Sequence, residues 1–281
     1  MGCPEHDCCA SHPENAEISF PGTFDHNTPW KFYNHLIGQV PEGIKVLDYC
    51  IGAHWSYVEA ECGMGVSYTV KGGAGRAYTR DLRGIELREM AELAKSWCFA
   101  EATLGVAALN AWYARRELLD PLGARYDETV ELPDGAVRKQ DAFGLYLPQM
   151  AGKKVVVVGH FPHLERVAEV ADLTILERNC SQEHDTPDPA CEYVVPSADF
   201  AFITGTTITN KTAPRLLDLS KNATTVMTGP SVVPSEFLFD WGVETIASSV
   251  VADPEKTRFA VKNGAGKFFG EALQMMTVTR K

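Results

Sequence analysis

A chain of 281 residues with 45% hydrophobic and 22% charged side chains can bury the core of one large domain or two ordinary ones. Its formal net charge of −11 at pH 7, with no basic patch, argues against a phosphate-backbone ligand, so no nucleic-acid partner is expected. No uninterrupted apolar run reaches membrane-spanning length, because even "FAEATLGVAALNAWYARRELL" is interrupted by Glu101 and Asn110, and no membrane partner is expected.

The chain opens with "MGCPEHDCCASH", where Cys3, Cys8 and Cys9 crowd around His6 and His12. Thiolate and imidazole suit zinc or copper(I), but the spacing is not that of a paired-cysteine zinc site, and a frayed tail with incidental thiols is the alternative. The amino terminus shows no basic, apolar, small-residue pattern. Together with eight cysteines, this leads to the expectation of a reducing cytoplasm in which thiols stay free, buried or metal-bound. Residues 1–28 are read as a cysteine-containing segment apart from the fold.

"TPWKFYNHLIGQV" predicts a short helix, followed by three β-like runs, "IKVLDYCIG", "HWSYVEAEC" and "GMGVSYTV". Glycines 52, 63 and 65 divide them at hairpin intervals, which predicts an antiparallel meander. In "RGIELREMAELAKSW" the residues Met90, Leu93, Ala94 and Trp97 share one helical face, so this helix is expected to cover one side of the meander. The segment from Phe99 to Leu119, apolar nearly all round, predicts a buried helix. The pattern then loosens into "DPLGARYDETVELPDGAVRKQ", where a boundary separates a first domain, 29–140, from a second, 141–281.

Beyond the boundary, continuous apolar strands alternate with amphipathic helices, the pattern of a parallel sheet covered on both faces and doubly wound. In such a sheet ligands bind outside the carboxyl ends of the strands, near the switch in strand order. Four stretches stand there: "GHFPH", "ERN", "TGTTITN" and "TGPS", bringing His160, Glu177, Asn179, Thr204, Thr206, Thr207, Asn210, Thr228 and Ser231. The first turn lacks the glycines of a dinucleotide fingerprint, since only Gly159 matches and Phe161 and Leu164 are bulky. A nicotinamide dinucleotide is disfavoured, whereas Glu177, 18 residues past Gly159, leaves a nucleoside-containing ligand open. Pro162 suits the first turn of a helix whose free N–H groups face the crevice. His160, at the strand tip, can ligate a metal, relay a proton or bind a neighbouring loop. In the connection "RNCSQEHDTPDPAC", Cys180, His184, Asp185 and Cys191 offer sulfur, nitrogen and oxygen donors, although the spacing is no specific signature.

The ordered set "VVVVGHFP", a strand ending in Glu177, "ITGTTITN", "TGPSVVPSEFLFDWGV" and "DPEKTRFAVKNGAG" resembles the carboxy-terminal domain of an uncharacterised prokaryotic family named for heavy-metal chelation. "IGAHWSYVEAECGMGVSYT" resembles its usual companion, a small domain similar to the amino-terminal domain of enolase. The resemblance covers the chain from about Trp30 onward. It implies an α/β protein with a Rossmann-like parallel-sheet domain preceded by a small α+β domain, the site lying in the cleft between them. Matching positions are His160, Phe161, Pro162, Glu177, Gly205, Thr206, Thr207, Asn210, Gly229, Pro230 and Ser231, with Gly52, Trp55, Gly63 and Gly65 from the companion. The cysteine-rich start and the loop from Cys180 to Cys191 match no motif of the family. Enolase chemistry does not follow, because the barrel that carries it is missing.

The first expectation is a protein that binds a transition or heavy-metal ion, or a metal chelate, in the cleft. His160, Glu177, Cys180, His184 and Cys191 are its candidate ligands. Trp55, Phe161, Pro162, Asn179, Gly205, Thr206, Thr207, Asn210, Gly229 and Ser231 would hold the organic or anionic part. The alternative is an enzyme acting on a small anionic metabolite, with His160 as general acid or base oriented by Glu177. A noncatalytic sensor is a third reading. Homodimerisation is the default expectation for such a protein.

Overall fold

The structure, a computed structural model, describes residues 28–78, 80–131, 137–182, 185–266 and 272–281. The amino-terminal cysteine cluster and His184 lie outside the described residues.

Helix α1 (Thr28–Gly38) leads into three strands, β1 (Val46–Ile51), β2 (Trp55–Ala60) and β3 (Gly63–Tyr68), paired antiparallel in the order β1-β2-β3 as the meander expectation required. Side chains alternate between the two faces of a strand. Val58 and its cross-strand partner Gly65 face helix α3 (Phe99–Tyr113), while Tyr57 and its partner Val66 join Trp55 and Met64 against Val261 and Leu273 of the carboxyl half. The meander is therefore buried on both sides.

The helix expected to cover it is shorter than its pattern suggested: α2 (Leu87–Glu92) gives way to a tighter 3-10 turn over Leu93–Lys95, and it packs mainly on α3. The buried helix α3 itself is the layer on the sheet. Gly65 makes that possible, because a Cβ there would stand 2.1 Å from the Ala111 nitrogen and 2.2 Å from the Ala107 oxygen. The three polar residues inside this apolar helix, Glu101, Thr103 and Asn110, are hydrogen-bonded as buried polar groups require, Thr103 Oγ1 donating to the Phe99 carbonyl, and only Asn110 Oδ1 has no partner among the described residues. Glu101 accepts from the Ala77 and Tyr78 nitrogens and from Ser96 Oγ, and the Asn110 amide donates to the Val66 and Pro230 carbonyls.

After α4 (Arg116–Leu119), β4 (Arg125–Tyr126) joins the edge of the larger sheet, and β5 (Thr129–Glu131) pairs with β6 (Val137–Lys139). The elements that follow are α5 (Ala142–Tyr146), β7 (Lys154–Val158), α6 (Glu165–Ala168), β8 (Asp172–Glu177), β9 (Asp185–Pro187), α7 (Cys191–Val194), β10 (Phe200–Thr204), α8 (Thr206–Thr209), α9 (Ala213–Leu219), β11 (Thr224–Thr228), α10 (Phe237–Asp240), β12 (Val243–Val251), α11 (Pro254–Lys262) and β13 (Leu273–Thr279). Eight strands form one sheet in the order β4-β13-β12-β11-β10-β7-β8-β9. β7 through β12 are parallel, whereas β13 and β4 add an antiparallel edge that the alternating strand–helix pattern did not announce.

The chain starts the parallel region at β7, builds outward through β8 to β9, then returns to lay β10, β11 and β12 on the other side. The order reverses between β7 and β10, which puts a crevice at their carboxyl ends. One face of the sheet packs Phe200 and Phe202 with Phe143, Leu164 and Val167; the other packs Ile203 and Met227 into a core shared with α1 and α3. No helix among the described residues is long and apolar enough to cross a membrane.

Candidate functional site

At the reversal a cavity of about 310 Å³ opens, within the size range of small-molecule sites. β7 and the turn after it contribute Val158 and Gly159, β8 contributes Leu176 and Glu177, and β10 with its following segment contributes Thr204, Thr206, Thr207 and Asn210. The connection between β9 and α7 supplies Asp188 and Pro189, α7 supplies Cys191, and α9 supplies Arg215 and Leu216. Every lining residue falls between 158 and 216, so the cavity lies within the carboxyl half and the expected cleft between two domains does not enclose it.

Gly159 has a left-handed φ of +96°, and a Cβ there would stand 3.1 Å from Thr204 Cγ2, so glycine lets β7 turn beside β10. Thr204 Oγ1 lies 3.2 Å from Thr206 Oγ1, and Thr207 Oγ1 donates to the Thr204 carbonyl at 2.6 Å. Asn210 Oδ1 accepts from the nitrogen and hydroxyl of Thr212 ahead of α9, and no described residue pairs with the Asn210 amide donors. Two ion pairs stand in the cavity wall, Arg178 with Asp188 at 3.0 Å and Arg215 with Glu192. These arginines escaped the sequence reading, since an arginine on a helix or after a strand normally reads as a solvated side chain. Their spacing from Asp188 and Glu192 shows only in the fold.

Cys191 is half-buried at the wall. Burial pushes its thiol above the ordinary range, and Glu192 and Asp188 push it the same way. It is therefore a protonated thiol at neutral pH, so metal ligation has to displace a proton. Cys180 is exposed, with its Sγ 3.5 Å from the Glu177 carbonyl, and does not line the cavity.

His160 stands at the rim, not in the lining. Its Nε2 is 2.6 Å from Asp185 Oδ1 and its Nδ1 is 3.5 Å from Glu177 Oε2, so both ring nitrogens face carboxylates. Asp185 Oδ2 accepts from the nitrogens of Ser181 and Gln182 at 2.7 and 2.8 Å, and the Asp185 side chain is fully shielded from solvent. Burial by itself would raise this carboxyl, but the two backbone donors and His160 outweigh it and hold it down at about 2. His160 and Asp185 thus tie the turn after β7 to the start of β9. Glu177 is held in the same region, its Oε1 accepting from the nitrogens of Arg178 and Asn179.

Several expected site residues lie outside the lining. Pro162 is not in the first turn of a helix: it sits in a turn ahead of α6, which begins only at Glu165 and has four residues, because His163 takes a left-handed φ of +65° in between. Phe161 packs edge-on to Phe143 at 5.4 Å. Trp55 is buried far along the chain's other junction, its Nε1 donating to the Gly266 carbonyl and its ring edge-on to Tyr68. A Cβ on Gly205 would meet the Val232 nitrogen at 2.2 Å, so its role is close approach of two loops. Gly229 turns the chain with φ +106°, and Ser231 Oγ accepts from the Tyr68 nitrogen at 2.8 Å, joining the larger sheet to β3. Asn179 is exposed outside the cavity. The structure therefore brings together Glu177, Thr206, Thr207, Asn210 and Cys191 with His160 at the rim, and separates them from Trp55 and Ser231. Among the described residues no group of three or more His, Cys, Asp or Glu side chains is arranged to hold a metal ion.

A family described as "Putative heavy-metal chelation", DUF364, matches residues 141–277, and a second with the same description, DUF4213, matches residues 33–113. An uncharacterised protein of Methanocaldococcus jannaschii, MJ0500, is 30% identical over 241 residues, covering 81% of this chain and 87% of its own. A DUF364-family crystal structure of unknown function from Desulfitobacterium hafniense is 31% identical with a TM-score of 0.79, covering 89% of this chain and 98% of that one. Another DUF364-family structure of unknown function, from Pyrococcus horikoshii, is 25% identical with a TM-score of 0.70, covering 90% of this chain and 99% of that one.

Proposed function

The chain belongs to the DUF364 family, and from the geometry of its cavity we propose that it binds a heavy metal delivered as a small anionic chelate at the carboxyl edge of the parallel sheet. One observation carries this reading. Outside the Arg178–Asp188 and Arg215–Glu192 ion pairs of its wall, the cavity offers two metal-seeking groups, the Cys191 thiol and the Glu177 carboxylate, next to the Thr206 hydroxyl and the donor side of the Asn210 amide. Two protein ligands are too few to hold a bare soft cation tightly, so the remaining coordination positions belong to an organic chelator. The Thr206 hydroxyl and the Asn210 amide donors take the chelator's oxygens, while the Thr207 hydroxyl, already donating to the Thr204 carbonyl, shapes the loop. His160 is a positioning residue that fixes the β9 loop around Glu177.

We further read the larger sheet as Rossmann-like, supported by its reversal between β7 and β10, and the meander with α3 as a domain similar to the amino-terminal domain of enolase. The division into 29–140 and 141–281 is supported by the separate matches at 33–113 and 141–277. The enzyme alternative draws on one feature, the 2.6 Å His160–Asp185 contact, which orients an imidazole as a general base requires. It has less support because His160 is outside the lining and its second nitrogen faces Glu177.

Native mass spectrometry of the full chain, purified without oxygen, added chelator or affinity metal, tests the proposal. It predicts an adduct equal to a metal plus a small organic ligand, absent from Cys191→Ala. An adduct retained in full by that variant would refute the assignment.

A further inference from the structure

We infer that the small sheet carries a second ligand site, a pocket for a small phosphate anion, independent of the cavity described above. The pocket has a volume of about 560 Å³ beside β1 and is lined by Tyr49, Arg76, Tyr78, Arg80 and Arg83 together with Asp48 and Asp81. Three arginines in one concavity stand out in a chain whose formal net charge is −11.

Both acids of the lining are already partnered. Asp81 accepts from Arg83 Nε at 2.8 Å and Nη2 at 2.5 Å, and Asp48 accepts from the Tyr57 hydroxyl at 2.5 Å and from Lys262 Nζ at 3.3 Å. The arginines retain donors: Arg83 keeps its Nη1, Arg80 gives one Nη2 contact to Glu89, and Arg76 makes no hydrogen bond or ion pair with another described residue. Arg83 is braced by its fork on Asp81, so its charge is held in place and not left to wander.

The ligand class follows from the arrangement of charge. A guanidinium presents N–H groups in a planar fork that matches oxyanions, and a single carboxylate is filled by one such fork in its own plane. Three guanidinium groups on one wall suit a tetrahedral anion, which accepts from several directions at once; with Asp81 and Glu89 already pairing Arg83 and Arg80, the number of remaining N–H donors and the charge of Arg76 set the ligand class. Arg80 and Arg83 are 61% and 62% exposed, so a ligand reaches them from solvent without displacing packed side chains.

The test is calorimetric titration of the full chain with inorganic pyrophosphate in metal-free buffer of low ionic strength, with glycerol phosphate titrated in parallel to separate a diphosphate from a phosphate ester. Saturable binding is expected that weakens as salt is raised, falls about tenfold in Arg76→Ala and disappears in Arg76→Ala/Arg83→Ala. Circular dichroism checks that both variants keep the fold. Failure of both phosphates to bind at millimolar concentration, or binding undiminished in the double variant, overturns the site. So does pyrophosphate binding that is lost in Glu177→Gln but kept in the double arginine variant, because it would place the anion in the other cavity. Loss of phosphate binding in the arginine variants leaves metal-chelate binding in the other cavity untouched, since no arginine of this pocket lines it.

Discussion

The loop after β10 and the loop after β11 leave neighbouring strands at the same edge of one sheet, both rich in hydroxyl and glycine, and they meet different surroundings. After β11, Ser231 is 3% exposed and accepts from the Tyr68 nitrogen, while Pro230 accepts from the Asn110 amide, so the loop is consumed in joining β3 and α3. After β10, Thr206, Thr207 and Asn210 turn toward a cavity, and the Asn210 amide donors meet no described partner. A strand-end address gives a loop the opportunity to bind a ligand. What covers the loop decides whether its polar groups are used up by the protein itself.

The largest effect is expected where the covered side depends on close backbone approach. Gly65→Val drives side-chain atoms into the Ala107–Ala111 backbone of α3, and destabilisation of at least about 3 kcal/mol, or failure to fold, is expected in urea denaturation. A fully stable variant would show that α3 does not rest directly on β3. On the same side but smaller, Ser231→Ala leaves the Tyr68 N–H without its acceptor and is expected to cost about 1–3 kcal/mol by the same assay, with chelate binding unchanged.

Much of this division was legible in residue patterns. Period-two runs with intervening glycines marked the meander, all-round apolarity marked α3, and alternation of apolar strands with helices marked the parallel core. The two-residue β4 and the three-residue β9, which contains Pro187, are too short and too weakly patterned to read, and they are held by their neighbours in the sheet. Glu177, Thr206, Thr207 and Asn210, expected together from their strand-end positions, line one cavity. Trp55 and Ser231 lie outside that lining, since local sequence cannot show which loop another element will cover. Arg178 and Arg215 were missed because Asp188 and Glu192 reach them from elsewhere along the chain, while the local Arg215–Asp218 pair reads as an ordinary solvated pair on a helix.

On the open side the effects are on binding and pH response. The raised Cys191 thiol must lose a proton to ligate, so chelate affinity is expected to rise with pH from 6 to 8, and Cys191→Ser should flatten that rise in titrations across the range. The smallest effect concerns the rim. Asp185 is held at about 2 in the folded chain against an ordinary 3.8, so its contribution is present above about pH 4 and is lost as pH falls through about 2. Hydrogen exchange of the Ser181 and Gln182 amides should accelerate over that interval relative to the intrinsic rate, and Asp185→Asn should already show the faster exchange at neutral pH.

The central claim is tested most directly by calorimetric titration of the full chain and of Glu177→Gln/Cys191→Ala with nickel–citrate, each also titrated with citrate alone. The account predicts saturable binding of the chelate to the natural chain, weakened at least tenfold in the double variant and not reproduced by citrate. Identical chelate binding by the two proteins would contradict it.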